Sequence, residues 1–178
     1  SYVPVLAPMA PLEINWAFGE VHLPVGLLRV GRQPFSQGAG MAGHDGGRHN
    51  RWGAASYSHS ADRVLFATKL DEIARSIAQG PGYKADGSQD NGLFLVTAYD
   101  WSVQDEITST DDDLHGVLAG IIWRKRQADW FGWRWKHLKV QAVSLSKLSE
   151  EFDTGIYVFP FALKGEITPV HFDFEYTL

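Results

Sequence analysis

His171, Asp173 and Glu175 stand at alternate positions, so on an extended strand all three project from one face. An imidazole and two carboxylates placed together could hold a metal ion or exchange a proton. Any water-facing strand with polar residues at every second position produces the same triplet, and a wetted face is the expectation, with no metal. Asp111-Asp112-Asp113 offers oxygen ligands for Ca²⁺. It lacks the glycine and bidentate glutamate spacing of an EF-hand loop, so it reads as an exposed acidic turn. His44-Asp45-Gly46-Gly47-Arg48-His49-Asn50 gathers two histidines, an aspartate and an arginine in a glycine-rich stretch. Folded into a pore it would form a constriction; the preferred reading is a surface loop. Gly38-Ala39-Gly40-Met41-Ala42-Gly43 matches GxGxxG, but no helix follows in a strand–helix–strand context, so no dinucleotide site is expected. Serine, histidine and aspartate are present without a nucleophile elbow, so no catalytic residue, no enzyme and no cofactor is expected.

The elements that position these residues are strands. The chain has 178 residues, seven tryptophans, ten phenylalanines, no cysteine and a net charge of -5. One domain spanning residues 1–178 is the expectation at that length. The absence of cysteine excludes disulfides, zinc thiolates and cysteine nucleophiles. The acidic balance argues against a nucleic-acid partner, which would require a basic face. Ser1 to Ala10 has no basic start followed by an apolar core, so no signal peptide opens the chain, and an exported protein would be in mature form or a fragment. Apolar runs such as Val117 to Trp123 are far shorter than the ~18 to 20 residues of a spanning helix.

Period-two alternation recurs along the chain. Val170, Phe172, Phe174, Tyr176 and Leu178 oppose His171, Asp173, Glu175 and Thr177. Leu12, Ile14, Trp16 and Phe18 alternate with Glu13, Asn15, Ala17 and Gly19, and the strand continues through Val21 and Leu23 to a tight turn at Pro24-Val25-Gly26. Leu28 and Val30 then oppose Arg29, Gly31 and Gln33. Further strands are expected over Arg63 to Leu70, Leu93 to Trp101, Leu114 to Arg124, Lys136 to Leu148 and Gly155 to Leu163. A turn at Lys164-Gly165 would lead into the last strand. Asp71 to Gln79 has helical periodicity and stops at Gly80-Pro81-Gly82, so a short helix interrupts the pattern. The connections Pro34 to Asp62 and Val103 to Asp113 are long, against short turns elsewhere. About eight strands, several near the ~9 to 11 residues of a tilted spanning strand, point to an all-β fold, an antiparallel up-and-down transmembrane β-barrel.

Gly26-Leu27-Leu28-Arg29-Val30-Gly31-Arg32-Gln33-Pro34-Phe35, followed by Gly38-Ala39-Gly40-Met41, resembles bacterial outer-membrane porins, in which a similar run leads from a strand into a glycine-rich outer loop. Ala61 to Leu70 and Ala98-Tyr99-Asp100-Trp101 look like a porin-like family of Gram-negative envelopes, and the resemblance covers roughly residues 12 to 125. It implies location in the bacterial outer membrane and passive diffusion of small solutes. The partners expected are membrane lipid and small solutes, with a homo-oligomer or other envelope proteins as further associations. Members of the family are longer, with more strands, so these residues are either part of a larger barrel or a small closed one. Eight strands alone enclose only side chains, which leaves a structural, membrane-anchored barrel without a channel as one rival. A soluble β-sandwich or barrel binding a ligand is the other.

On the barrel reading, Arg29, Arg63, Lys69, Arg124, Lys139, Gln141, His171, Asp173 and Glu175 line the lumen, with Lys147 and Glu13 adding charge. Trp16, Trp101, Trp123, Trp130, Trp133 and Trp135 are the interface aromatics, their indole N–H groups reaching the headgroup level.

Overall fold

The computed structural model describes residues 16–34, 60–104, 114–149 and 154–178. Within them one antiparallel sheet is laid down in chain order. Its first four strands are β1 (Ala17–Leu23), β2 (Gly26–Pro34), β3 (Ser60–Lys69) and β4 (Gly92–Gln104). Then come β5 (Leu114–Trp130), β6 (Trp133–Ser149), β7 (Thr154–Val158), β8 (Pro160–Ile167) and β9 (Val170–Thr177). β7 and β8 share one flank of β6, the first beside Leu145–Ser149 and the second beside Lys136–Ala142. The nine strands therefore fill eight positions. The class is all-β, antiparallel and up-and-down, as the alternation predicts. The sheet is open, and these strands do not close a ring, since no pairing joins β1 to β9 among the described residues.

The turn into the last strand departs from expectation. Lys164 and Gly165 lie inside β8, opposite Asp173 and Phe172, and the chain reverses at Thr168-Pro169, whose peptide bond is cis. Gly165 serves packing instead. A Cβ there would stand 2.6 Å from Phe172 Cζ and 3.3 Å from Leu138 Cδ1, so the missing side chain admits the phenylalanine ring. The β5–β6 turn is the opposite case: Phe131 and Gly132 both hold positive φ, 52° and 77°, as a two-residue hairpin turn of this twist requires. β5 and β6 reach 17 residues each, longer than their apolar patterns suggested.

The predicted short helix is present as α1 (Leu70–Gln79), followed by one 3-10 turn at Gly80–Gly82. Its acidic first turn is anchored. Asp71 Oδ1 accepts the Leu93 N–H at 3.1 Å, and the Lys69 ammonium donates to the Asp86 and Ser88 carbonyls at 3.2 Å each. The buried Glu72 carboxylate accepts from the Tyr83 hydroxyl, the Asp86 N–H and Lys69. The Tyr83 hydroxyl, with help from those other donors, holds Glu72 below the usual carboxylate range against the opposing effect of desolvation. The same bond raises the Tyr83 phenol.

The pairing registers assign every side chain to one of two faces. One face carries Val21, Leu28, Val30, Val64, Phe66, Leu95, Val117, Ile121, Leu163 and Phe174; Phe18, expected with the apolar set, instead shares the other face with Glu20 and Arg29, because the apolar side of β1 runs through Ala17, Gly19, Val21 and Leu23. The other carries Arg29, Gln33, Arg63, Asp100, Gln141, Lys139 and Asp173 with small residues between them. Burial runs opposite to the rule for a water-soluble fold. On the apolar face Val30, Val64, Val117, Ile121, Phe161 and Phe174 are between 37% and 53% exposed, whereas Gln33, Arg63, Asp100 and Gln141 on the mixed face are at most 5% exposed.

Candidate functional site

The mixed face is the candidate site, and its charges fall into three groups set by strand register. On β1 and β2, directly opposed Glu20 and Arg29 form an ion pair, with Arg29 Nε donating to Glu20 Oε2 at 2.9 Å and His22 Nε2 3.1 Å from the other oxygen. Phe18 lies under the Arg29 guanidinium, 4.6 Å from ring centroid to Cζ, a cation–π contact that further fixes the arginine.

On β3 and β4, Arg63 makes a two-pronged bond to Asp100: Nε to Oδ1 at 2.5 Å and the terminal nitrogen to Oδ2 at 2.7 Å. Both side chains are almost fully buried. The register explains the room for them. Gly116 of β5 faces Asp100, and a Cβ there would lie 3.2 Å from Asp100 Cβ. Gln33 Nε2 donates to the Arg63 carbonyl at 3.0 Å and completes the cluster. Alongside runs an apolar strip of Ala98, Leu118 and Leu145 with Leu65, Val96, Val143 and Val158.

The third group crosses four strands in one row. Arg124 of β5 faces Lys139 of β6, which faces Lys164 of β8, which faces Asp173 of β9. Lys139, Gln141, Ala162, Lys164 and Asp173 line a hollow here. Lys164 Nζ donates to Asp173 Oδ2 at 3.1 Å, and the buried Asp173 Oδ1 has no hydrogen-bond partner among the described residues. The Arg124 guanidinium sits 5.5 Å from the Phe94 ring centroid and donates to the Gln89 carbonyl at 3.4 Å. Three cations therefore meet one carboxylate. Like charges directly opposed across strands repel, so this row is a local source of positive potential in a chain of net charge -5.

All nine residues predicted to share the polar face project on the mixed side of their strands, although they do not form one cluster. Arg124, Lys139, Gln141 and Asp173 meet in the row; Arg29 and Arg63 belong to separate ion pairs. Lys69 is drawn to the end of β3 by Glu72 and the connection carbonyls. His171 is exposed, 3.7 Å from Glu166 rather than grouped with Asp173 and Glu175, and no trio of metal-ligating side chains occurs among the described residues. Sequence reading missed Asp100, Glu20 and Lys164 as partners. In the sequence Asp100 stands out only within the Ala98-Tyr99-Asp100-Trp101 motif, and Lys164 reads as part of a turn. Glu13, His44 to Asn50, Gly38 to Gly43 and Asp111 to Asp113 lie outside the described residues.

The tryptophans separate to opposite ends of the strands. Trp16 and Trp101 lie where the long connections leave, and Trp123, Trp130, Trp133 and Trp135 lie toward the β5–β6 turn. Trp130, Trp133 and Trp16 are 47%, 62% and 58% exposed. Between these ends, the charged side chains that the apolar face of β1 to β4 presents are Arg32 and Asp62, bonded to each other at 3.0 and 2.7 Å. No family model, no curated protein and no solved structure matches the chain.

Proposed function

We propose that this sheet forms the wall of a β-barrel in a bacterial outer membrane, through which small solutes diffuse. The observation that carries the reading is the inverted burial: large apolar side chains of one face are exposed, while Gln33, Gln141 and the Arg63–Asp100 pair at the centre of the other are covered. In water a monomer usually shows no more than a few hundred Å² of contiguous apolar patch. Against hydrocarbon an exposed apolar face is the surface required, since lipid favours apolar side chains and rejects unpaired charge. The Arg32–Asp62 pair fits that rule, being mutually neutralised. Tryptophans at both strand ends match the headgroup levels of a bilayer. Strands of five to 17 residues, most with short turns at one end and longer connections at the other, suit a tilted spanning sheet.

The mixed face is then the lumen wall. With Arg124, Lys139 and Lys164 in one row, the wall favours anions over cations. The experiment has two arms. Ile121→Arg, at the middle of the apolar face, is expected to destabilise the lipid-inserted protein by about 2–4 kcal/mol, while a soluble fold tolerates it as a surface change. Planar-bilayer recording is expected to show stepwise conductance with a reversal potential on the anion side. A protein monodisperse in buffer without detergent, or one that inserts and carries no current, refutes the membrane reading or the channel respectively.

A further inference from the structure

The distal β5–β6 hairpin concentrates charge and aromatic surface beyond any other segment described. Between residues 124 and 136 lie Arg124, Lys125, Arg126, Arg134 and Lys136, five of the chain's 16 basic residues, against the single carboxylate of Asp129. Four of the seven tryptophans lie within or next to the same stretch.

The hairpin is not a straight extension of the sheet. Trp123 and Trp130 are seven residues apart, which on an extended strand spans about 23 Å, yet their ring centroids are 5.9 Å apart. The bend coincides with His137, at a φ of 51°, and with the slip in β6–β8 pairing between Lys136 and Lys139. Trp135 supports it from below: its Nε1 donates to the Trp130 carbonyl at 3.1 Å and its ring meets Phe172 edge-on at 5.3 Å. Asn91 Oδ1 accepts the Arg126 N–H at 3.0 Å, so the β3–β4 connection braces the other side.

At the tip, Phe131 is held in a conformation uncommon for an aromatic residue and is 88% exposed. Lys125, Arg126 and Lys136 have no carboxylate partner among the described residues, and Arg134 reaches Asp129 only across 3.5 Å of exposed surface. Aromatic rings with an unpaid excess of exposed cations, set where the apolar face ends, match the chemistry of a membrane boundary that carries negative headgroups.

We propose that this hairpin docks onto anionic phospholipid headgroups, Trp130, Phe131 and Trp133 entering the interface while Lys125, Arg126 and Arg134 meet the phosphates. The proposal rests on the membrane reading above, and the experiment separates the two. The protein is folded into phosphatidylcholine vesicles containing a minor fraction of phosphatidylglycerol brominated on its acyl chains, or the same fraction of brominated phosphatidylcholine. Tryptophan fluorescence is expected to be quenched more by the anionic lipid, an association preferred about fivefold for each engaged cation. The excess is lost in Lys125→Gln/Arg126→Gln/Arg134→Gln and at high salt, and kept in Lys84→Gln, an exposed residue off the hairpin. Equal quenching by the two lipids, or an excess that survives the triple substitution, overturns the proposal and leaves the tip a neutral membrane or protein contact. If alkaline carbonate strips the protein from the vesicles, the barrel reading fails. The docking proposal then stands only if the folded protein still floats with phosphatidylglycerol vesicles, not with phosphatidylcholine alone, and needs the same three cations.

Discussion

Removing Asp100 tests whether the covered polar face is organised as described. The Asp100→Ala change deletes the carboxylate that receives both prongs of Arg63 and leaves that guanidinium at a site where both side chains are at most 6% exposed. Breaking one side of a buried pair costs about 3–5 kcal/mol, because the remaining charge keeps its desolvation penalty. That corresponds to roughly a 150- to 5,000-fold rise in the unfolded fraction. With a urea slope of about 2 kcal/mol per M, the unfolding midpoint falls by about 2 M. The assay is urea unfolding of the folded protein followed by far-UV circular dichroism, for the wild type, Asp100→Ala, Arg63→Met and the double variant Arg63→Met/Asp100→Leu. The double variant is expected to lose less than the two single variants together, since it removes both charges and fills the space with apolar atoms. A loss under about 1 kcal/mol for Asp100→Ala, or strict additivity in the double variant, would refute the claim that the pair acts as one buried unit.

Two further outcomes follow from packing and titration. Gly165→Val places a branched side chain against Phe172 and Leu138, costs about 1–3 kcal/mol in the same urea assay, and is partly rescued by Phe172→Leu; full tolerance would show that the ring does not need the gap. Because the folded Glu72 carboxyl titrates below its unfolded value of about 4.3, its stabilising effect is fully present above that value and is lost as the pH falls through the folded one. Amide protection factors in α1, corrected for the intrinsic exchange rate at each pH, are therefore expected to fall on acidification in the wild type and to be nearly independent of pH in that window in Glu72→Gln.

Face assignment was the most legible feature of the sequence. Leu28 and Val30 against Arg29, or Phe172 and Phe174 against Asp173, declare their sides because side-chain direction alternates strictly along a strand. The helix was equally plain, bounded by Asp71 and the Gly80-Pro81-Gly82 stop. Strand length was harder to read: alternation ends at Arg124, and the Lys125-Arg126-Gln127 run has no apolar rhythm, so the outer halves of β5 and β6 were invisible until paired with each other. Gly165 misled because glycine favours both turns and close approaches, and only the ring of Phe172 distinguishes them. The ion pairs of the site depend on register between distant segments, Arg63 with Asp100 being 37 positions apart, and no local pattern encodes that.

The meandering strand order has a consequence for how the molecule assembles. Apart from the step that carries β8 past β7 to β6, each strand lies beside the one made just before it. Each closure therefore spans a modest stretch of chain, and its loop entropy is small compared with that of a Greek-key arrangement. The β5–β6 hairpin, with the longest ladder and a two-residue turn, is the cheapest of these closures and sits in the middle of the order. Folding can start there and add strands outward in both directions, with every intermediate a smaller version of the same sheet.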